Sequence, residues 1–333
     1  MPEKIIADKA AKDSFSSSSA KQKILAFSSL IILLIVFSFA SPNFFQSNNL
    51  IAIMLATAVN GVLAIGVTFI IITGGIDLSV GTMMTFTAVM AAQFVANWHM
   101  PVMVGILVAI MTGMVCGFLS GVMVAKLKIP PFIATLGMMM LTKGLSLIIA
   151  QSKPIYFTES PTFALIAMGS IFSFIESFKI PNAVLIFFAL AIVASIILNK
   201  TVFGRYTFAI GSNEEAVRLS GVNTDRWKIA VYAFSGAICG IAGIIIASRL
   251  NSAQPALGPG YELDAIAAVV IGGTSLSGGE GTILGTVIGA FIMSVLTNGL
   301  RIMSVPQEWQ IVVTGVIIIF AVYVDMLRRK RSK

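Results

Sequence analysis

Apolar residues fall along this chain in ten blocks, at 24–40, 50–73, 79–97, 101–125, 131–150, 181–199, 229–249, 264–279, 282–301 and 309–326. A helix needs about 20 mostly apolar residues to cross the hydrocarbon core, so the pattern predicts an all-α polytopic membrane protein with about ten transmembrane helices. The first block could pass for the core of a signal peptide, but the flank Ser41-Pro42-Asn43-Phe44-Phe45 offers no small-residue cleavage site. It reads as a retained first helix. The expected organisation is a disordered cytoplasmic tail over 1–23, a transmembrane domain over 24–326 and a basic cytoplasmic tail over 327–333.

Composition excludes the soluble alternatives. Of the 333 residues, 57% are hydrophobic and 11% charged, whereas a soluble domain carries roughly 25% charged residues. Cys116 and Cys239 both lie inside apolar runs, which leaves no disulfide framework and no Cys-x-x-Cys motif. The net charge of +8 does not call for nucleic acid, because Lys and Arg concentrate on the cytoplasmic side of membrane proteins. With the N-terminus inside and ten crossings, both termini are cytoplasmic, as are the turn at 126–130 and the stretch 200–228. Those segments hold 17 of the 22 basic residues.

Glycine and other small residues recur at every fourth position in three places: Gly113, Gly117, Gly121 and Ala125; Ser235, Cys239, Gly243 and Ala247; Gly281, Gly285 and Gly289. Such stripes let helix backbones approach closely in lipid. They predict bundle-facing helices. Two glycine-rich interruptions, Gly74 to Gly81 and Gly272 to Gly281, share Gly-Gly-x-x-Leu-Ser, which hints at a repeat of the kind that places broken helices at a central site.

Polar groups inside apolar blocks either face the bundle or line a path. Asn60, Thr68, Asp77, Ser79 and Asn298 are the candidates for a translocation path. Asp77 also suits a helix start, and Glu262 and Asp264, beside the loop Gln254 to Tyr261, read as caps or rim residues. Enzyme chemistry has no foothold: His99 is the single histidine, no nucleophile-base pair is arguable, and no phosphate-loop sequence occurs. Neither catalytic nor metal-binding residues are expected.

The polar stretch 204–226 contains a short helix outside the membrane. Asn213 suits its N-cap, Glu214 and Glu215 its first turn, and Gly221 its C-terminal stop. A charged cytoplasmic helix between two spans has the shape of a docking element for a soluble partner.

With these residues in view, the chain resembles the permease subunits of ABC importers for monosaccharides, most closely the ribose type. The resemblance rests on Ser41 to Phe45 with Asn48-Asn49-Leu50, Gly75 to Gly81 (GIDLSVG), Pro131 to Leu136 (PFIATL), Gly204 to Asn223, and Ser252 to Thr282 (SAQPALGPGYELDAIAAVVIGGTSLSGGEGT). It implies a half-channel without catalytic groups or cofactor of its own, ATP and Mg being bound by a partner. The implied partners are a cytoplasmic ABC ATPase, a periplasmic sugar-binding protein, a second copy of the chain, the monosaccharide and the lipid bilayer of the bacterial inner membrane, with no nucleic acid. Carried onto this sequence, Asn213, Glu214, Glu215, Arg218, Leu219 and Gly221 form the ATPase-coupling element. The periplasmic segment 151–180 follows the pattern least; its Phe157, Phe163, Phe172, Phe174 and Phe178 are expected in an amphipathic element beneath the binding protein. The alternative is a stand-alone secondary sugar transporter or facilitator with Asp77 as its ion-coupling group.

Overall fold

The computed structural model describes residues 24–171 and 180–332, so the tail 1–23 and Phe172, Phe174 and Phe178 lie outside the described residues. The chain runs through α1 (Ile24–Ala40), α2 (Ser47–Ile72), α3 (Val80–Ala92) with a π-helical turn Gln93–Asn97, α4 (Val102–Ala125), α5 (Pro131–Ile149), β1 (Ile155–Tyr156) and α6 (Pro161–Met168). It continues as α7 (Asn182–Lys200), α8 (Val202–Leu219), α9 (Thr224–Leu250), β2 (Ser252–Ala253), α10 (Tyr261–Ile271), α11 (Ile283–Ile302) and α12 (Gln307–Ser332). Seven described helices are long and apolar enough to cross a membrane: α2, α3 with its π turn, α4, α5, α7, α9 and α11.

The block 264–279 differs from expectation. Its helix, α10, has 11 residues and rises only about 16 Å, half of a hydrocarbon core of about 30 Å. The remainder of the block, from Gly272, is loop. Gly272 and Gly273 read as apolar in composition, yet Gly273, Gly278 and Gly279 adopt positive φ that ends the helix and turns the chain.

Helix α9 is the central post, packed against α2, α3 and α4. Its N-terminus is set by Asn223, whose side chain accepts from the Arg226 N–H at 3.0 Å, and it ends where Asn251 turns left-handed at φ 50°. The crossing with α4 explains the first small-residue stripe: a methyl group at Gly113 would overlap the Gly236 carbonyl, and one at Gly117 the Tyr232 carbonyl. The partner face on α9 is Gly236 and Gly240, one position along from the stripe anticipated. That stripe meets other neighbours, with Ser235 against Gly66 of α2 and Gly243 against Met84 and Thr87 of α3. In the third stripe, Gly285 and Gly289 lie against the carbonyls of Gly272 and Ala268, whereas Gly281 precedes the helix. Cys116 and Cys239 are buried free thiols.

Some of the hydroxyls inside the bundle bond along and between helices. Thr68 donates to the Ala64 carbonyl at 2.7 Å and pairs with the Thr286 hydroxyl at 2.7 Å, joining α2 to α11; Thr82 pairs with Thr142 at 2.8 Å, joining α3 to α5.

A two-residue antiparallel ladder, absent from the sequence expectation, pairs Ile155 with Ala253 and Tyr156 with Ser252. It holds the start of the 151–180 segment against the end of α9. The phenylalanine expectation needs correction there. Phe157 and Phe163 are fully buried and stacked with centroids 3.8 Å apart, because they fill the space between the ladder and α6. The outward residues are Leu165, Met168 and Ile171. Ser248 locks α6 to α9 by accepting from the Ala167 N–H at 2.9 Å and donating to the Phe163 carbonyl at 2.7 Å. Replacing Ser248 with alanine strands a buried amide, at a cost of about 1–3 kcal/mol. The expected result is a melting temperature several degrees below that of the unaltered chain in detergent; an unchanged melting temperature would show the pairing to be dispensable.

Candidate functional site

Two regions gather the polar residues singled out from sequence. The first is the end of α8. The helix is broken at Asn213, whose φ of −161° and ψ of 95° are non-helical, and the Asn213 side chain accepts from the Ala216 N–H at 2.9 Å. This is N-cap geometry. Asparagine favours it because its short side chain reaches the free amides of the next turn. Residues 214–219 thus form a separate short helix, closed by Ser220 and by Gly221 at φ 86°.

One face of this short helix is held and the other is open. Glu214 pairs with Lys228 of α9 at 2.5 Å, while Glu215, Arg218 and Leu219 are exposed, Leu219 at 81%. A second ion pair, Lys128 with Asp225 at 2.7 Å, ties the turn after α4 to the start of α9. Just before the kink, Gly211 lies against the Ile72 carbonyl and the Gly279 amide, and Gly279 itself donates to the Ile72 carbonyl at 2.9 Å. The end of α2, the α8 kink and the loop after α10 therefore meet at one point. Sequence reasoning passed over Gly211, Lys228 and Gly279. The signal was faint: a glycine in a helix interior, where it costs about 1 kcal/mol against alanine, needs a packing reason.

The second region is where α3 and α10 begin. Asp77 is 1% exposed and accepts from the Ser79 N–H at 2.8 Å and the Ser79 hydroxyl at 2.6 Å. Ser79, the N-cap residue of α3, spends its hydroxyl on Asp77 and so does not cap α3. Helix α10 starts from Gly260 at φ 103° and has no side-chain cap either. The two uncapped ends converge: the Gly81 backbone touches the Gly258 carbonyl and the Glu262 carboxylate, and Gly258 packs on Thr82 and Thr85. Glu262 is 7% exposed; its Oε1 accepts from the Gly260 N–H at 3.0 Å, and its Oε2 has no hydrogen-bond partner.

The five path candidates are thus split. Thr68, Asp77 and Ser79 are enclosed within the chain, with the first in the α2–α11 pairing and the other two bonded to each other. Asn60 and Asn298 are half-buried, and each has an unpartnered Oδ1. Among the described residues no group of three His, Cys, Asp or Glu side chains could hold a metal ion.

Comparison with known proteins agrees with a transport role. The curated relatives include the ribose import permease protein RbsC of Escherichia coli (strain K12), 43% identical over 299 residues that cover 89% of this chain and 91% of the relative. The ribose import permease protein RbsC of Bacillus subtilis (strain 168) is 41% identical over 312 residues, covering 93% and 94%. The fructose import permease protein FrcC of Rhizobium meliloti is 35% identical over 308 residues, covering 90% and 84%. No solved structure matches the chain. Residues 49–322 match the family described as branched-chain amino acid transport system / permease component, so this multi-pass membrane protein belongs to that permease family.

Proposed function

We propose that the chain forms the membrane path of an ATP-driven monosaccharide importer and that the sugar carried is ribose. It is a transport subunit; the ATP is hydrolysed by a separate subunit. Support for the sugar comes from identity above 40% with ribose import permeases over about nine tenths of the chain. Support for the mechanism comes from the broken α8, whose terminal turn presents Glu215, Arg218 and Leu219 outward while Glu214 and Gly211 anchor it to α9, α2 and the loop after α10. That open face is the docking element for the ATPase.

In this reading two copies of the chain make the path in the bacterial inner membrane, and a periplasmic binding protein delivers the sugar. Ten crossings are counted when α1, α12 and α10 with its glycine loop are added to the seven long helices, with both termini cytoplasmic. An ion-coupled stand-alone secondary transporter would need Asp77 for the ion, and Asp77 is enclosed and bonded to Ser79.

Purification of the tagged chain from its native host tests the docking element. The unaltered chain is expected to bring an ATPase subunit with it, and the double variant Glu215→Ala/Arg218→Ala to lose most of that ATPase while still inserting and remaining monodisperse. Normal co-purification and normal ribose uptake by the double variant would defeat the assignment.

A further inference from the structure

We propose that the junction of the α3 and α10 N-termini, with the Glu262 carboxylate at its centre, is a hydroxyl-binding constriction on the translocation path. The inference rests on the importer reading and places the point at which the permease itself contacts the sugar.

Depth is the first step. Gly81 is the second residue of α3, about 24 Å along the helix and its π turn from Asn97. The neighbouring Thr82 pairs with Thr142, which stands roughly 16 Å from Pro131 and 10 Å from Ile149 along α5. Through Thr142, α5 sets the junction inside a hydrocarbon core about 30 Å thick. Gly258 packs on that same turn of α3. The loop 254–260 therefore enters the membrane before α10 begins.

Exposure is the second step. At this depth Pro259 and Gly260 are exposed on the chain's surface, and Leu263 is 51% exposed. Irregular backbone at membrane depth is tolerated only where protein covers it or where it lines a water-filled cavity, since hydrocarbon cannot satisfy its polar groups. The exposed start of α10 thus meets either the second copy of the chain or water; we assign it to water, which the labelling of Leu263→Cys below decides.

Chemistry is the third step. At the start of α10 the Tyr261, Leu263 and Asp264 amides already bond to the Gly258 and Gly260 carbonyls, so the donors left are the Glu262 amide and the first amides of α3, each at the positive end of a helix dipole. Between them lies a side chain more than nine-tenths buried, whose Oε2 is an acceptor without a partner. A hydroxyl group both donates and accepts, so a sugar passing the junction can donate to Glu262 Oε2 and accept from an amide of either helix start. In this conformation the Gly81 backbone covers Oε2, with a methyl group built on Gly81 falling 2.5 Å from it. Separation of α3 from α10 exposes the acceptor.

Two measurements on the complete importer test the proposal. Glu262→Gln keeps the shape but weakens the acceptor, and is expected to lower uptake of labelled ribose at least tenfold with the amount and melting temperature of the chain unchanged. Uptake within twofold of the unaltered importer would overturn the role, and so would a loss of uptake that tracks a fall in melting temperature. The second readout needs no ATPase: Leu263→Cys is expected to react with a charged thiosulfonate reagent at least tenfold faster than Ile192→Cys, which is 62% exposed on α7. The buried Cys116 and Cys239 set the background. Equal rates at the two positions would overturn the aqueous path. Fast labelling at Leu263→Cys, combined with ribose uptake that needs neither ATP nor a binding protein, would instead remove the importer reading and leave the path in place.

Discussion

Gly236→Val is expected to yield little monodisperse protein and to lower the melting temperature of what remains by about 10 °C or more. The reason is backbone, not side chain. A β-carbon at Gly236 overlaps the Gly113 carbonyl and comes within 3.0 Å of the Gly117 Cα, and a β-carbon at Gly113 meets the Gly236 carbonyl in return. Neither helix has a flexible side chain at this point that could give way. To admit valine, α4 and α9 must separate along their whole contact. In lipid no hydrophobic effect compensates for the dispersion energy then lost. Overpacking generally costs about 1–3 kcal/mol, and a clash between two main chains belongs at or above the top of that range. Gly315→Val is the control, because nothing lies within 4 Å of a β-carbon there. If size-exclusion profiles and melting curves of the two variants coincide, the glycine crossing is not what holds α4 to α9.

The same crossing shows how far the sequence could be read. Apolar block length located the long helices, because crossing a membrane imposes a length and a composition together. It misjudged α10, because glycine and threonine keep a block's composition apolar while positive φ at Gly273 ends the helix. A stripe at every fourth position was visible on α9, but 3.6 residues per turn leave adjacent stripes on different faces. Ser235 and Gly243 face α2 and α3, and the α4 contact belongs to Gly236 and Gly240. At the α8 kink, Asn213 was legible because capping is local chemistry. The Gly211 contact with Ile72 and Gly279 was not, since it joins three segments far apart in the chain. Glu262 read as a cap, and its Oε1 does bond to the Gly260 amide. What sequence could not convey was the inward course of the loop: Gln254 to Gly260 has the proline and glycine of a surface turn, yet Gly258 packs on Thr82 and Thr85 of α3.

Gly211→Val is expected to abolish ribose uptake, at least tenfold, while leaving the ATPase bound. A ligand shifts a conformational equilibrium only through contacts that differ between the states, so movement of the docked ATPase must pass into the bundle through packed atoms. Beyond Glu214, the tight joint available is the one before the kink. There Gly211 touches the Ile72 carbonyl and the Gly279 amide, and the Gly279 N–H closes the contact on Ile72 at 2.9 Å. Ile72 ends α2, just before the segment that leads into α3, and Gly279 belongs to the loop that joins α10 to α11. These segments lead into α3 and out of α10, the two helices whose N-termini meet at Glu262. A valine side chain would force the joint apart and break the Gly279–Ile72 bond, disconnecting the short helix 214–219 from the bundle. Glu215, Arg218 and Leu219 lie past the kink and remain exposed for docking, so the variant should fail differently from Glu215→Ala/Arg218→Ala, which loses the ATPase itself. Co-purification and uptake measured on both variants separate the two steps. Full uptake by Gly211→Val, or loss of the ATPase from it, would show that force reaches the path by another route.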